Sequence, residues 1–286
     1  MTQKAKTDTA AVPEHPPELY RVERHADPFD SLDRATTEHA LERYGDVGYL
    51  GVRGVLGPRD VREAIDALDD LIAGKVEGFE DVMLEAAIGE DVSEMTLEER
   101  RDCVRRVFHF TRHEPRLHRI AHDPDLLRLV RRLMNDREPA LFQDMALLKP
   151  PKIGREKPWH QDNAYFGVDP SEPIVGVWIA LDEATVDNGC MQVLEGGHKS
   201  GPQLHWKRRD WQICDTDILG KTSVAVPLPP GGGMFFHALL PHGTPTNRSP
   251  KRRRALQLHY APADVVRISQ DQRLEIFGTE GKDVTC

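Results

Sequence analysis

The chain has 286 residues, 39% hydrophobic and 30% charged, which is the composition of an ordinary globular protein. No apolar run approaches the roughly 18 residues that span a bilayer, so a membrane protein is not expected. The net charge of −9 argues against a general nucleic-acid binder, whose footprint is basic.

Residues 1–20 open with a polar stretch, Met1 to Pro17, that has no apolar core of a secretory signal, and they are expected to form a disordered tail. Four scattered cysteines (Cys103, Cys190, Cys214, Cys286) form no CxxC pair, which predicts free thiols and a reducing, cytoplasmic setting. The remainder, 21–286, reads as one catalytic domain: a helix-rich part over 35–135 and a strand-rich core over 140–262.

The pattern from Ala35 to Tyr44 is helical, with Gly45 placed to end it. Val47, Tyr49, Leu50 and Val52 make a short strand-like run. Pro58 sits where a helix begins, Val61, Ala64, Ile65, Leu68 and Ile72 follow at helical spacing, and Gly74 closes the segment. Lys75 to Met95 is acidic and aperiodic and reads as a long loop that can act as a lid. Thr96 starts another helix with Glu98 and Glu99 in its first turn. Asp123-Pro124 is a cap and first-turn signal for an amphipathic helix through Leu126, Leu127, Val130 and Leu133. His109, His113, His118 and His122 crowd this half. Their spacing misses His-Glu-x-x-His by one residue, and Arg112, Arg116 and Arg119 between them repel a cation, so they read as a basic helix rim.

After Pro139 the period changes to that of strands. Leu141 to Leu148, Trp159 to Phe166, Ile174 to Leu181, Cys190 to Leu194, Ser223 to Leu228, Met234 to Leu240 and Ala255 to Ala261 are strand-like, with turn signals such as Asn188-Gly189 between them. Many short strands with intervening turns predict a mainly β, jelly-roll-like double sheet, with the early helices packed on one outer face.

The chemistry centres on His160-Gln161-Asp162. On an extended strand His160 and Asp162 point to one face. Two histidines and one carboxylate on one face of an octahedron form the non-heme Fe(II) arrangement. An unrelated His-x-Asp on a polar strand looks the same, so a third ligand is required. His198, His205, His237, His242 and His259 are candidates, and His242 stands where a buried strand meets a turn. Arg253 heads the last strand. An arginine entering a sheet interior needs an anion, and its fork suits a carboxylate, whereas Lys251-Arg252-Arg253-Arg254 taken alone also reads as a solvated basic turn.

Taken together, His160-Gln161-Asp162, Trp178, Asn188-Gly189-Cys190, Gly196-Gly197-His198-Lys199, His242-Gly243 and Arg253 resemble the phytanoyl-CoA dioxygenase family over Leu141 to Pro262. The resemblance implies a double-stranded β-helix of the jelly-roll, cupin-like kind, with Fe(II) and 2-oxoglutarate as cofactors. It implies His160, Asp162 and His242 as iron ligands, and Arg253 on the distal carboxylate of 2-oxoglutarate. Gln161, Trp178 and Met145 would line the co-substrate pocket, with Asn163 at the substrate or in a turn. A basic residue that relatives place near Val107 to His109 has no clear counterpart here, and His109 or Arg106 is the replacement to consider. The activity implied is hydroxylation of a small organic molecule by O2, with succinate and CO2 as co-products, in a monomer or homodimer that binds neither nucleic acid nor membrane. Retention of Asp162 favours hydroxylation over halogenation. The competing reading is a metal-binding β-barrel without catalysis, a sensor or structural protein. Arg253 discriminates between them, because a structural metal site needs no anion clamp and closes with four protein ligands.

Overall fold

The computed structural model describes residues 15–85 and 95–278. Two sheets face each other. The larger has seven strands in the order Tyr49–Val52, Gly233–His237, Val175–Ala180, Arg253–Pro262, Pro139–Lys149, Val104–Phe108 and Val82–Leu84, every neighbouring pair antiparallel. The smaller has five, in the order Val22–His25, Ser223–Val226, Met191–Val193, His242–Thr244 and Lys157–His160, with only the first pair parallel. This is the expected double-stranded β-helix.

Alternation along the strands divides the core. Trp178, Ala180, Met234, Phe236 and Ala255 of the larger sheet meet Met191, Val193, Val224 and Val226 of the smaller one. The intervening residues Val177, Ile179, Phe235, Leu256 and Leu258 face outward and are covered by helices, through Ala64, Leu68 and Leu71 of Pro58–Ile72 and Leu126, Leu129 and Val130 of Pro124–Leu133. The early helices therefore pack on one outer face, as their apolar stripes require. The period of two places Arg253, Ala255, Gln257 and His259 on the inner face of one strand, and this face bears the site.

Local signals explain most boundaries. Asp123 caps its helix by accepting from the N–H groups of Asp125 and Leu126, and Thr96 with Glu99 forms a reciprocal capping box. The helix expected over Ala35 to Tyr44 runs instead over Glu38–Val47, starting from a Thr37 cap. Gly48, at φ +86°, ends it rather than Gly45, so Val47 is helical. Asn188-Gly189 does turn the chain, with Gly189 at φ +83°, but its flanking strands lie in different sheets and form no hairpin.

Two expected unstructured segments are partly ordered. Residues 15–20 are docked: Leu19 and Tyr20 are buried, the Trp159 indole N–H donates to the Leu19 carbonyl at 2.8 Å, and Tyr20 stacks on Trp159. Within the proposed lid, Val82–Leu84 forms the edge strand of the larger sheet, while residues 86–94 lie outside the described residues. Cys103 and Cys190 are buried free thiols, but Cys214 is engaged in a disulfide, against the expectation of four free thiols. No described helix is long and apolar enough to cross a membrane.

One packing contact links the fold to the site. The Phe236 ring lies over Gly176, where an added Cβ would come within 2.4 Å of it, and meets the His242 ring edge-on at 4.8 Å between centroids. Gly176→Ala forces that ring to move. It is expected to lower stability by about 1–3 kcal/mol, the usual cost of overpacking, read as a lower urea midpoint. An unchanged midpoint would show that the ring has room to shift.

Candidate active site

His160 ends its strand and His242 begins its own, and the two are direct partners in the antiparallel ladder of the smaller sheet. Their rings lie 4.2 Å apart between centroids. Each ring is oriented by its own backbone: His160 Nδ1 is 2.8 Å from the Pro158 carbonyl and His242 Nδ1 is 2.9 Å from the Leu240 carbonyl. A carbonyl only accepts, so both Nδ1 atoms carry hydrogen and both Nε2 atoms present lone pairs. This is the arrangement that orients a metal-binding imidazole.

Asp162 is not on the strand. Lys157–His160 ends before it, and Asp162–Tyr165 forms a 3-10 turn, closed by the Ala164 N–H donating to Gln161 and pinned by the Asn163 N–H donating to the Ala238 carbonyl. The turn achieves what the strand was expected to do. Asp162 Oδ1 lies 3.2 Å from His160 Nε2 and 3.6 Å from His242 Nε2. The donor atoms of the three residues lie within 4.8 Å of one another, and all three residues are buried. Burial lowers the His160 imidazole to about 3 and also depresses His242, so both rings are neutral at neutral pH. Burial acts to raise the Asp162 carboxyl, but the net effect of its contacts, the hydrogen bond from His259 among them, holds it well below its usual range. The set of two neutral imidazoles and one carboxylate fits a divalent iron and leaves half of an octahedron to other ligands.

Arg253 is buried at the head of its strand, on the same cavity wall. Its neighbours in the basic run differ: Arg252 pairs with Asp102 and Glu98, and Arg254 with Asp182. Arg253 has no carboxylate partner among the described residues. One terminal nitrogen donates to the Leu147 carbonyl at 3.3 Å, its Nε is buried without a partner, and its guanidinium lies 5.3 Å from the Trp178 ring. Burial lowers it only to about 10, so it stays charged at neutral pH. A buried cation with an unmet donor fits a carboxylate. The cavity that joins Arg253 to the triad is lined by six basic side chains, namely Arg105, Arg106, Lys149, Arg155, Lys157 and Arg253, against the carboxylates of Glu85 and Asp162.

The other residues singled out in the sequence divide. Met145 lines the cavity. Trp178 is not among the lining residues but packs beside Arg253, with its indole N–H buried and unpartnered. Gln161 points away, correcting its expected place in the pocket: its amide donates to the Gly201 and Leu239 carbonyls and its oxygen accepts from the Gln203 N–H. Asn163 is buried in the turn and does not line the cavity. His109 is turned outward against Asp81, whereas Arg106 faces the cavity from the strand Val104–Phe108, opposite Leu147. His198 and His237 lie outside the cavity lining, and His205 accepts from the Gln161 N–H.

Sequence reasoning missed Thr244, Lys157 and Tyr165 as wall residues, and weighed His259 only as a ligand. Thr244 carried a legible signal, since it lies two residues beyond His242 on the same short strand. Lys157 and Tyr165 carried none. Lys157 donates to Tyr165 and Asp210 at 2.8 and 2.7 Å, an assembly made from separate segments.

A double-stranded β-helix with an open His-Asp-His triad and an inward arginine defines a class, the 2-oxoglutarate-dependent non-heme iron oxygenases. The family model described as phytanoyl-CoA dioxygenase matches residues 44–255, and the chain belongs to that family. A phytanoyl-CoA dioxygenase domain-containing protein 1 of Danio rerio is 23% identical over 262 residues, covering 78% of this chain and 89% of the relative. The homologue of that protein in Caenorhabditis elegans is 33% identical over 135 residues, covering 43% of this chain and 46% of its own length. Among solved structures, the epimerase SnoN in complex with Fe3+, alpha ketoglutarate and nogalamycin RO shares the fold, with a TM-score of 0.66 and 21% identity over 87% of this chain and 93% of SnoN. The cofactors of this class are iron and 2-oxoglutarate.

The support behind the triad is itself sensitive to pH. Burial lowers the His205 imidazole to about 4 from an ordinary 6.5, so the ring is neutral in the fold, where it accepts from Gln161. Its contribution to stability is therefore complete above pH 6.5 and is lost as pH falls towards 4. The metal-free protein should lose urea resistance over that window, and His205→Gln should make the loss shallower. An identical slope in the variant would contradict this assignment.

Proposed function

We propose that this enzyme hydroxylates a C–H bond of a small organic substrate, with O2 as oxidant and succinate and CO2 as co-products. The observation that carries the reading is the pairing of an open His160-Asp162-His242 triad with a buried Arg253 that has no carboxylate partner among the described residues, on one cavity wall. A structural metal site would close with a fourth protein ligand and would need no inward cation.

When bound, iron and 2-oxoglutarate supply the oxidising chemistry; the rest is binding, orientation and shielding by the chain. His160, Asp162 and His242 would hold the metal. Arg253 receives the distal carboxylate of 2-oxoglutarate, with Trp178 packed beside it and Met145 on the wall. Arg106 is placed to meet a second carboxylate, and the cationic lining favours a dianionic co-substrate throughout. Phe108, Tyr165 and Phe166 bound the remaining space and keep water from the reacting centre. Asp162 fills the position that would have to be vacant for a halide, which supports hydroxylation.

Asp162→Ala and His242→Ala should each abolish turnover, measured as succinate formed over a panel of acyl-CoA esters, amino acids and terpenoid acids. Arg253→Ala should chiefly raise the KM for 2-oxoglutarate, roughly 10- to 100-fold, the size expected for losing charge-assisted hydrogen bonds. Full activity in either ligand variant would mean that the metal assignment is wrong.

A further inference from the structure

The Asp162 carboxylate is divided between two sets of partners. Oδ1 faces the two ligand imidazoles, and Oδ2 lies 2.7 Å from Nε2 of His259. His259 is buried on the inner face of the strand Arg253–Pro262, across from Gln143 on one neighbouring strand and Gly176 on the other. Its ring is held by Phe166, edge-on at 4.9 Å between centroids, and by Phe142 at 6.1 Å. The backbone register and two aromatic rings therefore fix where this imidazole sits. An ionised carboxylate only accepts hydrogen bonds, so His259 Nε2 must carry the hydrogen. Nδ1 is the ring atom with no partner among the described residues. The Gln257 amide nitrogen lies 3.1 Å from the same Nε2, and a flip of that amide would present its oxygen as a second acceptor.

A carboxylate can bind a cation through one oxygen or two. With two, Asp162 would occupy one of the positions that the co-substrate and O2 require. We infer that His259 is a positioning residue that engages Oδ2 of Asp162, so that the carboxylate meets the metal through Oδ1 alone and three coordination positions stay open. The inference rests on the triad reading above and adds a role that the resemblance did not assign: His259 touches neither metal nor substrate and acts through Asp162.

The test uses Co(II) as a probe in metal-free full-length protein under anaerobic conditions. Affinity is read from tryptophan quenching and coordination from the visible absorption of Co(II), with thermal melts of every apo-protein. His259→Phe keeps a ring and removes the donor. It should bind Co(II) about 10- to 100-fold more weakly, the usual range for losing an outer hydrogen-bond partner of a ligand, with an altered visible spectrum. His259→Gln, which restores an N–H donor, should recover most of the affinity and the wild-type spectrum. Where His259→Phe does not fold, His259→Leu supplies the donor-free comparison. Wild-type affinity together with an unchanged spectrum in the donor-free variant would overturn the inference and leave the triad intact. Failure of the wild-type protein to bind Co(II) at all would overturn the triad itself, and the inference with it.

Discussion

The pairing of His160 with His242 across two short antiparallel strands is the constraint on which the rest of the site depends. It brings together residues from distant parts of the chain, and the register places their rings in contact. The carbonyls of Pro158 and Leu240, each two residues before its histidine, then choose the tautomer and aim both Nε2 atoms at one point. The geometry of the histidine pair is therefore built largely by backbone. Asp162 is added by a turn that leaves the same strand. A one-residue slip in the ladder would send one imidazole to the opposite face and dissolve the set.

The electrostatics of the chain are inverted at the site. A protein of net charge −9 lines its cavity mostly with arginine and lysine. Most of these cations are already engaged. Glu85 serves both Arg105 and Arg155, and Lys149 donates to backbone carbonyls, with its ammonium lowered by burial and by Arg253 beside it. Arg253 differs: it is buried, its Nε has no hydrogen-bond partner, and among the described residues no carboxylate faces it. Such a group is costly unless an anion arrives. The acidic exterior makes attraction of the co-substrate a short-range property of this wall.

How much could be read from the chain follows from how local each signal is. Pro58 and Asp123-Pro124 announce their helices because a cap is settled within a few residues. The run Ile174 to Leu181 announces a strand buried on both faces, and Val175–Ala180 is one. Gly45 and Gly48 lie about one turn apart, and only tertiary context chooses which of the two ends the helix. A period-two rule puts Asp162 on a strand, and that rule fails where the chain turns. Resemblance puts Gln161 in the pocket, but its amide is consumed by three backbone partners that no local pattern reveals. His259 was visible as a histidine near the site, yet its contact with Asp162 depends on the register of the long strand Arg253–Pro262 against its neighbours.

The proposed site binds one iron through His160, Asp162 and His242, together with 2-oxoglutarate. Anaerobic titration of metal-free protein with Fe(II), then with 2-oxoglutarate, measures this directly through the visible metal-to-ligand charge-transfer absorption. The prediction is a band that saturates at one iron per chain and requires both components. A protein that binds no Fe(II), or that gives the same band in His242→Ala, would contradict it.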